Sequence, residues 1–134
     1  MEVKLSTESI RDIAAFEKIT SVHARDCIIM DACIYFLVDP KKVGIAIGKN
    51  GSVIQQVRHV LGKPVKVFGY SENPEEFIRS MIPQARSIEL TNGVATVAIP
   101  QRERSLIIGR GGSNINAIKA ILKRHFGIGD LRLR

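Results

Sequence analysis

The sequence predicts an α+β fold made of two tandem units, each a small three-stranded mixed sheet packed against helices. Two observations support this prediction. A window of sixteen residues, 46–61, matches residues 107–122 without a gap, and six of the sixteen positions are identical. The same order of helical and β-rich patterns surrounds both windows, as expected for an internal duplication. We therefore place two domains at residues 1–70 and 71–134.

Each predicted unit begins with a helix. In the first, Ser6 is a candidate N-cap. The apolar residues at helical spacing after it, expected to face the core, are Ile10, Ile13 and Ala14. In the second, Asn73 and Pro74 supply a cap and a first-turn proline. The apolar residues that follow are Phe77, Ile78 and Met81.

A β-hairpin follows each leading helix. The four strand patterns cover residues 26–30, 34–38, 86–90 and 94–99. The first pair is joined at Asp31–Ala32, and the second contains Asn92–Gly93, a pair that adopts the positive φ values of a tight turn. Short closing strands are expected at residues 65–68 and 131–133.

A proline ends each hairpin and predicts the start of a helix. Pro40 and Pro100 both fit a first helical turn, where no amide donor is needed, and Asp39 is a candidate N-cap. The helix that forms the second part of each matched window presents apolar residues at i, i+3 and i+7, which predicts a core face. These residues are Ile54, Val57 and Leu61 in the first unit and Ile115, Ile118 and Leu122 in the second.

A four-residue glycine loop joins two helices in each unit. One interpretation is purely structural: glycine ends one helix and permits the turn into the next. A structural turn needs no cation or small polar residues at its tip, whereas a phosphate-binding turn does, because glycine allows close approach and the second helix begins with outward-pointing amides. The predicted binding residues are Ile47, Gly48, Lys49, Asn50, Gly51 and Ser52, with Ile108, Gly109, Arg110, Gly111, Gly112 and Ser113.

The positive charge is concentrated in the segments that carry these loops. The chain has a formal net charge of +7. Residues 40–70 contain six bases and no acid, and residues 99–134 contain eight bases and two acids. The two leading segments are net acidic, so the excess charge predicts an anionic partner at the loops, with nucleic acid ahead of a membrane surface.

Other chemistries fit the sequence poorly. Asn50 stands where a nucleoside-triphosphate loop requires serine or threonine after the lysine, and Asn114 stands where a dinucleotide fingerprint requires glycine or alanine. The three histidines are scattered, and Cys27 and Cys33 lack zinc-site or disulfide spacing, so we interpret both as reduced structural thiols. We predict no catalytic residue, no metal and no cofactor.

The composition is that of a folded protein, with 45% hydrophobic and 25% charged residues. No apolar run approaches the roughly 18 residues of a membrane span, and the N-terminus has no signal or transit pattern. We expect a cytoplasmic protein with no membrane partner.

A helix, a Gly-x-x-Gly loop and a second helix beside a small sheet resemble the KH domain, and a hairpin before the loop resembles its type II, or prokaryotic, form. The tandem arrangement, the Val-Lys-Leu motif at residues 3–5 and the Ala-Ile-Gly-Lys-Asn-Gly loop at residues 46–51 are similar to those of the archaeal NusA-like family. This resemblance implies binding of nascent single-stranded RNA in transcription elongation, termination or antitermination. It also leaves RNA polymerase or other transcription factors open as protein partners.

KH units use the loop to clamp the backbone of about four nucleotides. The resemblance implies bases held in an adjoining groove. The expected floor residues are Ile47, Ile54 and Val67 in one unit and Ile108, Ile115 and Leu131 in the other. Two alternatives stay open: a KH-type ribosomal or RNA-processing factor, and a protein-interaction scaffold whose loops are only turns.

Overall fold

The computed structural model describes residues 7–30 and 33–134. Contacts divide the chain into two compact units, one ending at Ser71 and the other beginning at Glu72. The expected cap at Ser6, the motif at residues 3–5 and the turn at Asp31–Ala32 lie outside the described residues. No helix in the described ranges is long and apolar enough to cross a membrane.

The described part of the first unit contains three α-helices and three strands. Its elements are α1 (Thr7–Thr20), β1 (Ala24–Ile29), β2 (Ile34–Val38), α2 (Val43–Ile47), α3 (Ser52–Leu61) and β3 (Val65–Gly69). The central strand β2 pairs antiparallel with β1 and parallel with β3. The sheet is therefore mixed, because the return from β2 to β3 passes through α2, the glycine loop and α3.

The second unit repeats this topology. Its elements are α4 (Pro74–Met81), β4 (Ser87–Thr91), β5 (Val94–Ala98), α5 (Arg104–Ile108), α6 (Ser113–Phe126) and β6 (Asp130–Leu133). Strand β5 pairs antiparallel with β4 and parallel with β6. Asn92 and Gly93 have φ values of 51° and 74°, as expected for the Asn-Gly turn. The predicted α+β fold with two three-stranded mixed sheets is confirmed.

Helix α1 packs on the sheet through a face that the sequence pattern does not identify. Its buried residues are Ser9, Phe16 and Thr20, with Ile13 partly buried. Ile10 is 61% exposed and Ala14 is also exposed, so the prediction that they face the core is wrong. The orientation follows from Phe16, whose ring stacks on Phe36 of β2 with centroids 4.1 Å apart. Burying that large ring turns Ile10 toward solvent.

The core faces of the other helices follow the predicted spacing. In α4 the buried residues are Phe77, Ile78 and Met81. In α3, Ile54 and Val57 are buried and Leu61 is partly buried, while in α6 all three predicted residues are buried. The apolar spacing is sufficient to predict the buried face of these helices because each has one clear apolar stripe.

Both predicted N-caps that fall within the described residues are present. The Asp39 side chain accepts a hydrogen bond from the Lys41 amide at 2.9 Å, with Pro40 in the first turn. The Asn73 side chain accepts from the Glu76 amide at 3.0 Å. Pro100, however, has extended backbone at the N-cap and does not enter the first turn. At the 61-residue spacing of the repeats, Pro100 is the counterpart of Asp39.

Both cysteines are free and buried, as expected for structural thiols. Burial raises the pKa of Cys27 to about 12, with a smaller contribution from the Asp12 carboxylate. Burial also raises the pKa of Cys33. Both thiols are therefore held in the protonated, unreactive form.

Candidate nucleic-acid interface

The two glycine loops have nearly the same backbone conformation. Gly48 is the C-cap of helix α2, with φ 77° and ψ 171°, and Gly109 is the C-cap of α5, with φ 78° and ψ 175°. A tight three-residue turn follows in each unit, at Lys49–Gly51 and Arg110–Gly112, and its middle residue, Asn50 or Gly111, is left-handed with a φ of 55° or 61°. The last glycine of each loop is left-handed and forms the N-cap of α3 or α6. The repeat thus extends to the backbone geometry of the loop.

The first glycine of each loop permits a close approach that no other residue allows. A Cβ atom on Gly48 would lie 2.5 Å from Cγ2 of Val53, and one on Gly109 would lie 2.7 Å from Cβ of Asn114. Their backbone angles also fall in a region that is essentially restricted to glycine. These two glycines therefore fix how tightly the second helix folds back on the first.

Hydrogen bonds close each loop on itself. The Gly51 amide donates to the Gly48 carbonyl at 3.1 Å, and the Ser52 amide donates to the Lys49 carbonyl. In the second loop, the Gly112 amide donates to the Gly109 carbonyl at 3.2 Å, and the Ser113 amide donates to the Arg110 carbonyl. These bonds make the loop a closed turn with residues 49–50 or 110–111 at its tip.

The second loop has one additional anchor. The Asn114 side chain is buried and donates a hydrogen bond to the Ile107 carbonyl at 2.9 Å, near the end of α5. The first unit has Val53 at the corresponding position, whose side chain packs against Gly48 instead. Two different side chains thus hold the same turn.

The tips of both loops are exposed and carry an uncompensated cation. Lys49, Asn50, Arg110 and Gly111 are all exposed. Within residues 7–30 and 33–134, neither Lys49 nor Arg110 forms an ion pair. A mobile positive charge on a closed glycine turn is suited to an anionic ligand.

The flanking predicted residues divide between exposed and partly buried. Ile47 is 37% exposed and Ser52 is exposed. In the second unit, Ile108 and Ser113 are partly buried. The structure therefore brings each set of six predicted residues together around one turn.

Three of the expected groove-floor residues belong to the core. Ile54, Ile115 and Leu131 are at most 9% exposed, so a ligand cannot contact most of their surface. That expectation was wrong because apolar residues at the same spacing can face either a groove or the sheet. The other three expected floor residues have accessible surface; they are Ile47, Ile108 and Val67.

A surface cavity that the sequence reasoning missed lies beside the second loop. Its volume is about 390 Å³, and its lining residues are Asn116, Lys119, Ala120, Lys123 and Gly129. Asn116 places it next to the loop, because a Cβ atom on Gly112 would lie 3.4 Å from the Asn116 side-chain nitrogen. The sequence does contain a pattern that could have indicated it: polar residues at i, i+3 and i+7 on the exposed side of α6.

One of the lysines that line this cavity, Lys119, is paired with the carboxylate of Asp130. The Asp130 side chain accepts a hydrogen bond from the Leu131 amide at 2.8 Å, which lowers the pKa of Asp130. Its other neighbours are Lys119, with Nζ 3.6 Å from Oδ1, and Arg132, with Nε 3.6 Å from Oδ2. Asp130 therefore neutralises part of the charge of Lys119.

Comparison with protein families identifies the KH domain twice in the chain. One match covers residues 10–90, more than half of the sequence, and a second covers residues 94–122. The first match extends past Ser71 to the end of β4. Both matches include a glycine loop.

The chain is also similar over nearly its full length to curated proteins and to a solved structure. It is 32% identical to a probable transcription termination protein NusA of Methanocaldococcus jannaschii, over 98% of this chain and 75% of that protein. It is 31% identical to the protein of the same name from Halococcus morrhuae, over 99% of both. The crystal structure of APE1850 matches 97% of this chain and 100% of its own, with a TM-score of 0.80 and 28% identity.

Proposed function

The chain belongs to the archaeal NusA-like family of KH-domain proteins, and on this premise we propose that it is a single-stranded RNA-binding factor of transcription elongation, termination or antitermination. The ligand is nascent RNA, bound through the two Gly-x-x-Gly loops. The protein acts in the cytoplasm, without a catalytic step, and RNA polymerase or other transcription factors are its protein partners.

One observation carries this proposal. The same closed glycine turn, with the same exposed tip and an uncompensated Lys49 or Arg110, occurs in both units. The closing hydrogen bonds use the amides of Gly51 and Ser52, so the tip residues 49–50 are the part of the loop that an RNA phosphate meets. The second loop follows the same plan at residues 110–111.

The loop chemistry favours RNA over an acidic protein. The glycines that flank the tip leave room for a sugar-phosphate backbone to approach closely, and KH loops bind about four nucleotides in this way. Lys49 and Arg110 then act as phosphate partners. Each unit has its own loop, so the full chain contacts roughly eight nucleotides.

Charge reversal at the loop tips tests the proposal. Fluorescence anisotropy with a single-stranded RNA of about twelve nucleotides would compare the wild type with Lys49→Asp/Asn50→Asp, with Arg110→Asp/Gly111→Asp, and with all four changes. We expect each pair to weaken binding by about tenfold or more, and the combination to abolish it at physiological salt. Circular dichroism checks that each variant is folded.

A matched control separates the clamp from bulk charge. Lys18 is exposed near the end of α1, on the leading helix. The substitution Lys18→Asp changes the net charge by the same two units as Lys49→Asp, so these two single variants are compared directly. We expect Lys18→Asp to leave RNA affinity within about twofold. If the variant with all four loop substitutions binds RNA as tightly as the wild type, the loops are only turns and the proposal is wrong.

A further inference from the structure

The two units differ in the length of the helix that follows the glycine loop. Helix α3 ends at Leu61, and Gly62 caps it with φ 71°. Helix α6 continues past the corresponding Leu122 to Phe126 and is capped by Gly127. The second unit therefore has one additional helical turn, residues 123–126, beyond the part that the two repeats share.

This additional turn places a cation in the cavity beside the second loop. Lys123 is exposed and lines that cavity, and at the 61-residue spacing its counterpart in the first unit is Gly62. A glycine in the left-handed conformation ends α3, so the first unit has no side chain at this point. The cation belongs to the second unit alone.

The other cation of the cavity is already paired. Lys119 lies 3.6 Å from the Asp130 carboxylate. Its counterpart in the first unit, Arg58, is directed toward its own sheet, with Nη2 donating to the Val65 carbonyl at 3.1 Å. Lys123, in contrast, forms no ion pair with any residue that the structure describes. It is therefore the cavity cation whose charge is available to a ligand.

We infer that Lys123 is an additional phosphate contact for RNA, which makes the second unit the stronger RNA-binding unit. The inference rests on the proposed function. RNA bound at Arg110 and Gly111 runs along α6 past Asn116, and Lys123 contacts its backbone about two helical turns beyond Asn116, roughly 11 Å along the axis. The first unit, which has Gly62 there, binds a shorter stretch and binds it more weakly.

The substitution Lys123→Gln tests this assignment, because it removes the charge and keeps a helix-forming side chain of similar length. We expect RNA affinity to fall by about two- to fivefold. The slope of log K against log salt should become shallower by about 0.7, the value for one phosphate contact on a single strand. Lys18→Gln, with the same loss of charge on an exposed helix, should change neither quantity.

The loop variants show which unit Lys123 serves. In the Lys49→Asp/Asn50→Asp background, Lys123→Gln should keep its full effect on the salt slope. In the Arg110→Asp/Gly111→Asp background it should have none, with both measured at low salt so that weakened binding stays in range. Of the two loop variants alone, the second-loop variant should lose more affinity.

The outcomes separate this inference from the proposed function. If neither loop variant changes RNA binding, the proposed function itself fails. If the loop variants weaken binding but Lys123→Gln behaves like Lys18→Gln, the loops are RNA clamps and the assignment of Lys123 is wrong. An effect of Lys123→Gln that persists when the second loop is disabled also overturns the assignment.

Discussion

Each loop needs glycine at different positions for different physical reasons. Gly48 and Gly109 combine a positive φ with a close contact that leaves no room for a Cβ atom. Gly111 has a φ of 61°, but a Cβ atom added there would meet nothing within 4 Å, and the first loop has Asn50 at this position with a φ of 55°. At the tip only the left-handed conformation is demanded, and asparagine tolerates it.

Substitutions in the second loop should rank accordingly. Gly109→Ala should lower the free energy of unfolding by about 2 kcal/mol or more, because it adds a clash to backbone strain. Gly111→Ala should cost about 1 kcal/mol, and Gly111→Asn less than about 0.5 kcal/mol. Urea denaturation measures all three. Equal costs for Gly109→Ala and Gly111→Asn would contradict the loop geometry.

The buried thiols should be inert in the folded protein. The pKa of Cys27 is raised to about 12 by burial, so its thiol is protonated at pH 8. A thiol-specific reagent at pH 8 should label neither cysteine in native protein and both in urea. Because the thiol ionises more readily in the unfolded chain, stability should fall as the pH rises from about 9 toward 12. Rapid labelling of the native protein would contradict this burial.

At the scale of elements, the sequence pattern assigns the wrong face to one helix, and the comparison of the two repeats does not reveal the additional turn of another. The face of α1 is set by the stacking of Phe16 on Phe36, a contact between residues twenty positions apart that local spacing does not reveal. The additional turn of α6 lies just beyond the matched sixteen-residue window. Repeat comparison identifies what two units share, so it missed Lys123.

Two substitutions in α1 test its orientation. Phe16 is fully buried, so Phe16→Ala should lower the free energy of unfolding by about 3–5 kcal/mol. Ile10 is 61% exposed, and Ile10→Ala should change that free energy by no more than about 0.5 kcal/mol. Chemical denaturation followed by circular dichroism measures both. Similar losses of unfolding free energy for the two variants would contradict this orientation and favour the face that the apolar spacing predicted.

At the scale of the whole molecule, most of the architecture could be predicted from the sequence. The hairpins, the glycine loops and the closing strands follow from local patterns such as Asn92–Gly93, and the duplication fixed their order. The groove was less predictable, because Ile54 and Leu131 proved to be core residues. Whether an apolar residue faces the sheet or a groove depends on packing across the unit.

The central claim is that both glycine loops hold the RNA backbone, and amide chemical shifts test it most directly. A ¹⁵N-labelled sample would be titrated with a twelve-nucleotide single-stranded RNA. We predict that the largest shifts fall on residues 48–52 and 109–113, with smaller ones along α6 to Lys123. Shifts confined to the leading helices α1 and α4, with both loops unchanged, would contradict the claim.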